Sequence, residues 1–291
     1  MSEILTIVAR REATTLTPAI LNRVRNAVRG TAPVVLSPGE AADIPLSVPL
    51  DHAALGDALE GKPIDAIVTK SRGRRKALLL ADMDSTIVQG ETLDELAGFA
   101  GIGEKIAAIT RQAMSGELDF KAALRERVAM LKGLDLEALE KTWRQVRLTP
   151  GARELVATMR ARGALTALVS GGFTFFTGKV TAELGFDVHR SNVLLDDGRA
   201  LTGQVADPIL DRDSKLAALT ELAARRRVKL HATLAVGDGA NDLDMIRAAG
   251  LGVAFHAKPI IAREARAKVD YADLRALLFA QGYPASVFVA D

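Results

Sequence analysis

Two aspartates, Asp82 and Asp84, stand one residue apart directly after the apolar run Ala77-Leu78-Leu79-Leu80. A buried carboxylate pair is costly unless something cationic meets it. The pair therefore predicts a metal ion, a proton to be moved, or both. Further on, VSGGFTFF places Ser170, Gly171 and Gly172 ahead of a helix, a hydroxyl and free backbone N–H groups suited to an anion. The stretch GDGANDLDM supplies Asp238, Asn241 and Asp242, and Lys215 opens a helical segment after Asp211 and Asp213. Brought together, these make an acidic cluster, a phosphate-sized anion site and a lysine. Carboxylates alone repel phosphate. A Mg²⁺ held by Asp82, Asp238 and a backbone carbonyl reverses that sign, with waters and a substrate oxygen completing its shell. One aspartate of the pair can then attack phosphorus. The other can protonate the leaving alkoxide and later deprotonate a water.

These residues need a scaffold that delivers them to one rim. From Lys76 onward, the short apolar runs Ala77-Ala81, Leu165-Val169, Thr233-Val236 and Gly252-Phe255 alternate with helical segments. That is the pattern of an α/β, doubly wound parallel sheet, which binds ligands at the carboxyl ends of its strands. Between Gly90 and Pro150 no convincing strand is read, only helix-period segments at Glu104-Met114, Phe120-Leu131 and Leu136-Val146. This is too long for an ordinary connection and predicts an inserted helical cap, about residues 91–149. A second insertion reads as a hairpin, Asn192-Leu195 and Leu201-Val205, around Asp196-Asp197-Gly198. Before Lys76 the expected order is strand, helix, strand, strand, helix, strand: Leu5-Arg10, Thr17-Arg29, Pro33-Leu36, Ile44-Val48, His52-Leu59 and Ala66-Lys70. That β-α-β-β-α-β order is the ferredoxin-like plan. A polar linker at Ser71-Arg75 would divide the chain into domains 1–71 and 72–291.

Composition narrows the class of function. The chain has 291 residues, 38 Lys plus Arg against 36 Asp plus Glu, and 48% hydrophobic residues. A formal charge of +2 is too balanced for a nucleic-acid binder. The basic runs Arg72-Gly-Arg-Arg-Lys76 and Arg225-Arg-Arg227 carry no interleaved aromatics and read as solvated surface. Cysteine is absent, which excludes disulfides and thiolate-held metals. Neither a signal-peptide core nor a membrane-spanning run is present, so no membrane partner and a cytoplasmic location are expected.

Taken together, D-x-D-S-T after a hydrophobic strand, S-G-G at the second strand, a solitary lysine and G-D-G-x-N-D resemble the haloacid dehalogenase superfamily. The intervening ETLDELA, AMSGELDFKAALRERVAMLKGL and VSGGFTFF are similar to its phosphoserine phosphatase family, over roughly Lys76 to Leu278. The resemblance implies Mg²⁺-dependent hydrolysis of O-phospho-L-serine to L-serine and phosphate through an aspartyl phosphate, the last step of serine biosynthesis. It implies Asp82 as nucleophile, Asp84 as general acid/base with its carbonyl on the metal, and Asp238 as the remaining metal ligand. It places Ser170, Gly171, Lys215 and Asn241 on the phosphoryl oxygens, with Asp242 supporting Lys215 and the metal shell. Glu91 and Arg127 would hold the amino and carboxylate groups of serine, and Met114 and Phe120 would close the cap against water. The pairing of Glu91 with Arg127 also makes chemical sense, since a zwitterion needs one anion and one bidentate cation. The alternative is a relative that hydrolyses another small phosphomonoester or passes the phosphoryl group to another acceptor.

Each signal has an ordinary reading by itself. D-x-D can be a helix cap, Gly237-Asp238-Gly239 a turn, Lys215 a solvated lysine, and Met114 and Phe120 core residues. The sequence Gly56 to Lys62 mimics a phosphate-binding loop, but Pro63 stands where Ser or Thr must bind metal. The N-terminal segment resembles an ACT module. Its first loop, ARREATTLT, lacks the glycine usual where backbone approaches a ligand. That favours packing, or a homodimer through this domain, over serine sensing.

Overall fold

The computed structural model describes residues 3–115 and 119–289. The chain begins β1 (Glu3–Ala9), α1 (Pro18–Ala27), β2 (Val34–Ser37), β3 (Ala41–Leu46), α2 (His52–Leu59) and β4 (Ile64–Lys70). These strands form an antiparallel sheet in the order β2-β3-β1-β4. The period of two along β1 divides its side chains between two cores. Leu5, Ile7 and Ala9 pack beneath α1 and α2, whereas Val8 joins the core of the following unit. Thr17 and Asp51 cap the two helices, accepting from Ile20 N and from Ala53 N and Ala54 N.

The next part opens with β5 (Leu78–Ala81), then β6 (Val88–Gln89), α3 (Thr92–Phe99), α4 (Gly103–Ser115), α5 (Phe120–Ala129), α6 (Glu137–Gln145) and β7 (Arg147–Leu148). It continues with α7 (Ala152–Ala161), β8 (Leu165–Phe173), α8 (Thr174–Leu184), β9 (Val188–Asn192), β10 (Leu194–Asp196), β11 (Leu201–Val205) and α9 (Arg212–Arg225). The chain ends with β12 (Thr233–Gly237), α10 (Leu243–Ala248), β13 (Leu251–Phe255), α11 (Pro259–Glu264), β14 (Ala267–Val269) and α12 (Ala276–Ala280). A six-stranded parallel sheet runs β14-β13-β12-β5-β8-β9. β5 lies inside it and is buried on both faces: Leu79 and Ala81 meet one hydrophobic cluster, Leu78 and Leu80 the other. Each of these leucines is fully buried, which is worth about 1.5–3 kcal/mol apiece.

The inserted helices α3 to α6 stand on a narrow neck. There Val88 pairs with Leu148, Gln89 pairs with Arg147, and Thr149 N donates to Ile87 O. The neck strand β7 lies in the interval expected to hold no strand, and α3 is a helix that periodicity does not reveal. Two sheet strands, β9 and β14, also go unpredicted, because they are edge strands with polar or very short sequences. Asn192 ends β9, so the hairpin itself begins at Leu194.

In the segment expected to be a polar, solvated linker, Arg72, Gly73 and Arg75 are exposed, but Arg74 is a clasp. Its side chain is 9% exposed and bonds Asp43 at 2.6 Å, Thr6 Oγ1 at 2.9 Å and the carbonyl oxygens of Phe279 and Ala280. Asp43 lies on the sheet face turned away from α1 and α2, where a buried carboxylate needs a counter-charge. Arg75 stacks over Tyr283, and Lys76 Nζ donates to Gly73 O and His231 O. The pairs Arg275–Glu40 and Arg11–Asp273 hold the same boundary, and Asp65 accepts from the backbone N–H groups of Asp270, Tyr271 and Ala272.

Candidate active site

At the end of β5, Asp82 (φ −72°, ψ 161°) and Asp84 (φ −65°, ψ 138°) each have extended backbone on either side of Met83, and the chain turns at Ser85 (φ 56°). Met83 between the two is fully buried. Asp82 N donates to Val236 O, which stitches this residue to the next strand. Lys215 comes from the first turn of α9, whose start is fixed by Asp211 and Ser214 bonding each other reciprocally. Its Nζ lies 2.7 Å from Asp82 Oδ1 and 2.6 Å from Asp242 Oδ1, and all three side chains are buried. Burial opposes the charge on Lys215, but Asp242 and Asp82 outweigh it and raise its pKa. Asp242 also accepts from Gly239 N at 3.0 Å. A Cβ on Gly237 would lie 2.3 Å from Asp242 Cγ, so only glycine fits beneath that carboxylate.

Asp84 is turned the other way. Its Oδ1 accepts from Thr92 N at 2.9 Å, and Ser170 Oγ reaches its Oδ2 at 3.5 Å. Burial raises its pKa, against hydrogen bonds from Thr92 that lower it. Ser170 Oγ accepts from Gly172 N at 2.9 Å. A Cβ on Gly172 would lie 2.8 Å from Asp84 Oδ2, and one on Gly171 would lie 3.2 Å from Phe120 Cζ. The glycine pair therefore lets a carboxylate in from one side and a cap aromatic from the other.

The cap supplies the remaining groups. Glu91 accepts from Ser85 Oγ at 2.9 Å, and burial together with Asp84 pushes its carboxyl up to about 8. Arg127 is 7% exposed, donates from Nε to Ala123 O and from Nη1 to Thr110 Oγ1, and has its pKa lowered by burial. Phe120 follows the α5 cap Asp119, which accepts from Ala122 N. The side chain of Met114 lies outside the described residues. A cavity of about 330 Å³ is lined by Asp82, Asp84, Ser170, Gly171, Asp238 and Asn241 at the sheet, and by Glu91, Phe120 and Arg127 from the cap. Lys215 and Asp242 stand behind Asp82 rather than in this lining.

The donor set suits a divalent cation. Carboxylate oxygens of Asp82, Asp238 and Asp242 all lie within 4.8 Å of one another, and all three residues are buried. Lys215 offsets only one of these charges. Burial, then Asp242, pushes Asp238 up to about 7, and the same two causes raise Asp82. Buried carboxylates crowded in this way are a donor set that a hard cation with oxygen preference would relieve.

Several residues here carry no sequence signal. Asn192 donates from Nδ2 to Gly171 O at 2.8 Å and accepts from Leu210 N, which pins the glycine loop. Thr110 and Arg212 also line the cavity. A threonine in a helix and an asparagine at a strand end are too common to single out. Only the approach of separate elements gives them a role.

The model for haloacid dehalogenase-like hydrolases matches residues 79–247. A phosphoserine phosphatase of Streptomyces coelicolor is 44% identical over 76% of this chain and 54% of its own length, so the chain spans about half of that relative. The unliganded structure of a probable phosphoserine phosphatase from Vibrio cholerae superposes with a TM-score of 0.80 at 32% identity, covering 98% of this chain and 88% of that one. A structure of a phospho-aspartyl intermediate analogue of phosphoserine phosphatase has a TM-score of 0.66 at 42% identity, covering 70% of this chain and 98% of that one. The chain belongs to the haloacid dehalogenase-like hydrolase family, and within it the similarity runs to the phosphoserine phosphatases.

Proposed function

We propose that this protein hydrolyses O-phospho-L-serine to L-serine and phosphate through an aspartyl phosphate on Asp82, with Mg²⁺ as cofactor, as the final step of serine biosynthesis in the cytoplasm. The observation that carries the reading is one cavity with Asp82, Ser170, Gly171 and Asn241 at its sheet end and Glu91 with Arg127 at its cap end. A phosphomonoester of a zwitterionic amino acid presents the matching groups. No helix among the described residues is long and apolar enough to cross a membrane.

Lys215 holds Oδ1 of Asp82 and leaves its other oxygen to attack phosphorus. The raised pKa of Asp84 keeps a proton ready for the leaving serine oxygen, and the carboxylate left behind then deprotonates the hydrolytic water. Asp82, Asp238 and the Asp84 carbonyl would hold Mg²⁺, which would supply the positive charge that lets carboxylate and phosphoryl oxygens approach. Ser170, the Gly171 N–H and Asn241 bind phosphoryl oxygens. Phe120, over Gly171, excludes water while Asp82 attacks, and Met114 shares that role. Glu91, whose carboxyl burial and Asp84 push up to about 8, would release its proton to solvent as it takes the substrate ammonium.

We assign residues 1–71 as an ACT-like unit and 72–291 as the phosphatase unit, with the cap at about 91–149. A homodimer through the N-terminal unit is part of this reading, and light scattering tests it. The test of function is phosphate release from O-phospho-L-serine with Mg²⁺ and with excess chelator, against phosphothreonine and a sugar phosphate. Fast, Mg²⁺-dependent release from phosphoserine alone is expected. Release from the sugar phosphate instead would overturn the substrate assignment.

A further inference from the structure

Arg127 does not stand alone in the cap wall. Thr110, one helix earlier on α4, accepts from Arg127 Nη1 at 3.0 Å. The same hydroxyl lies 3.1 Å from Asp94 Oδ1 and 3.0 Å from Ile106 O. A threonine hydroxyl has one proton and two lone pairs. With its proton directed to Asp94 and the Ile106 carbonyl, a lone pair is left facing the guanidinium. Arg127 Nε is committed to Ala123 O. The planar fork is thus fixed at two points by protein, and it still lines the cavity.

We propose that Thr110, polarised by Asp94, is a positioning residue that presets Arg127 to receive the substrate carboxylate, and so helps select phosphoserine over amine phosphates that lack a carboxylate. This rests on the phosphoserine reading of the cavity. A long arginine samples many rotamers when free, and bidentate recognition requires one of them. Fixing the fork before substrate arrives removes that cost from binding. Thr110 is 6% exposed, so loss of its oxygen would leave an Arg127 N–H without its acceptor. Asp94 lies outside the cavity lining; it meets Thr110 at 3.1 Å and its charge also favours the Arg127 guanidinium directly.

The test compares kcat/KM for O-phospho-L-serine with that for phosphoethanolamine, the same molecule without its carboxylate. In Thr110→Val the ratio is expected to fall about tenfold, mostly through KM for phosphoserine, the loss ordinarily seen for a hydrogen bond to a charged group. Thr110→Ser restores the ratio, and Asp94→Asn lowers it in the same direction. Should Thr110→Val fail to fold, Asp94→Asn and Thr110→Ser decide the matter. An unchanged ratio in folded Thr110→Val overturns the proposal, as does an equal loss on both substrates. A fall in Thr110→Val with no change in Asp94→Asn overturns the relay. If the unmutated protein itself shows no preference for phosphoserine, the phosphoserine reading fails first and separately.

Discussion

Replacing Lys215 with methionine tests the electrostatic logic of the site. The substitution keeps the length of an unbranched side chain and removes its charge from between Asp82 and Asp242, at 2.7 Å and 2.6 Å. Breaking one partner out of a buried ionic cluster costs about 3–5 kcal/mol. At roughly 2–4 °C per kcal/mol for a chain of this size class, the melting temperature should drop by on the order of 10 °C. The loss must depend on pH. Burial and then Asp242 raise the pKa of Asp82 in the folded protein, and Lys215 is what lowers it. Without Lys215 that pKa rises further. A carboxyl whose folded pKa is raised contributes stability at low pH and loses it as pH climbs towards the folded pKa. The deficit of Lys215→Met is therefore expected to be smallest near pH 5 and largest near pH 8, in chelator. Mg²⁺ should recover part of it at pH 8, because a cation then meets the stranded carboxylates. The assay is thermal melting of both proteins at the two pH values, with and without Mg²⁺, alongside phosphate release. A variant within about 2 °C of the unmutated protein at pH 8 in chelator would refute the reasoning.

Two further substitutions follow from close approaches. Gly172→Ala would set a methyl 2.8 Å from Asp84 Oδ2 and 3.1 Å from Ser170 Oγ, displacing the carboxylate proposed to transfer the proton. A loss of about a hundredfold in kcat is expected, with KM moving less, and steady-state kinetics that leave kcat intact would contradict it. Arg74→Met strands Asp43 in the clasp between the N-terminal sheet and α12, which should cost about 3–5 kcal/mol in urea unfolding. Adding Asp43→Asn should return part of that loss. A cost below about 1 kcal/mol for Arg74→Met alone would mean the clasp is not sealed from water.

Local rules reached a long way into this protein. The three leucines of β5, the small residues after the apolar runs of β8 and β12, and the turn residues that follow mark a buried parallel sheet, because such strands are apolar on both faces. The β-α-β-β-α-β order of the first unit is legible from its short apolar runs alternating with helix-period segments, and the α2 boundaries match the sequence reading residue for residue. The aspartates and Ser170 with its glycines stand out because buried polar groups at strand ends are costly without a use, whereas Lys215, on α9, gains meaning only beside them.

What the sequence could not carry is whatever depends on who meets whom. Edge strands β9 and β14 need no apolar period, since only one neighbour covers them. Arg72 to Lys76 has the composition of a solvated run, and only the arrival of Asp43 and the α12 carbonyls turns Arg74 into a clasp. Thr110 and Asn192 matter through partners on other elements, at Arg127 and Gly171. The chain by itself determined which residue types stand at the ends of which elements, because propensity and patterning act over a few residues. The tertiary structure alone decided which charges share one cavity, because desolvation and pairing energies exist only once separate elements close upon each other.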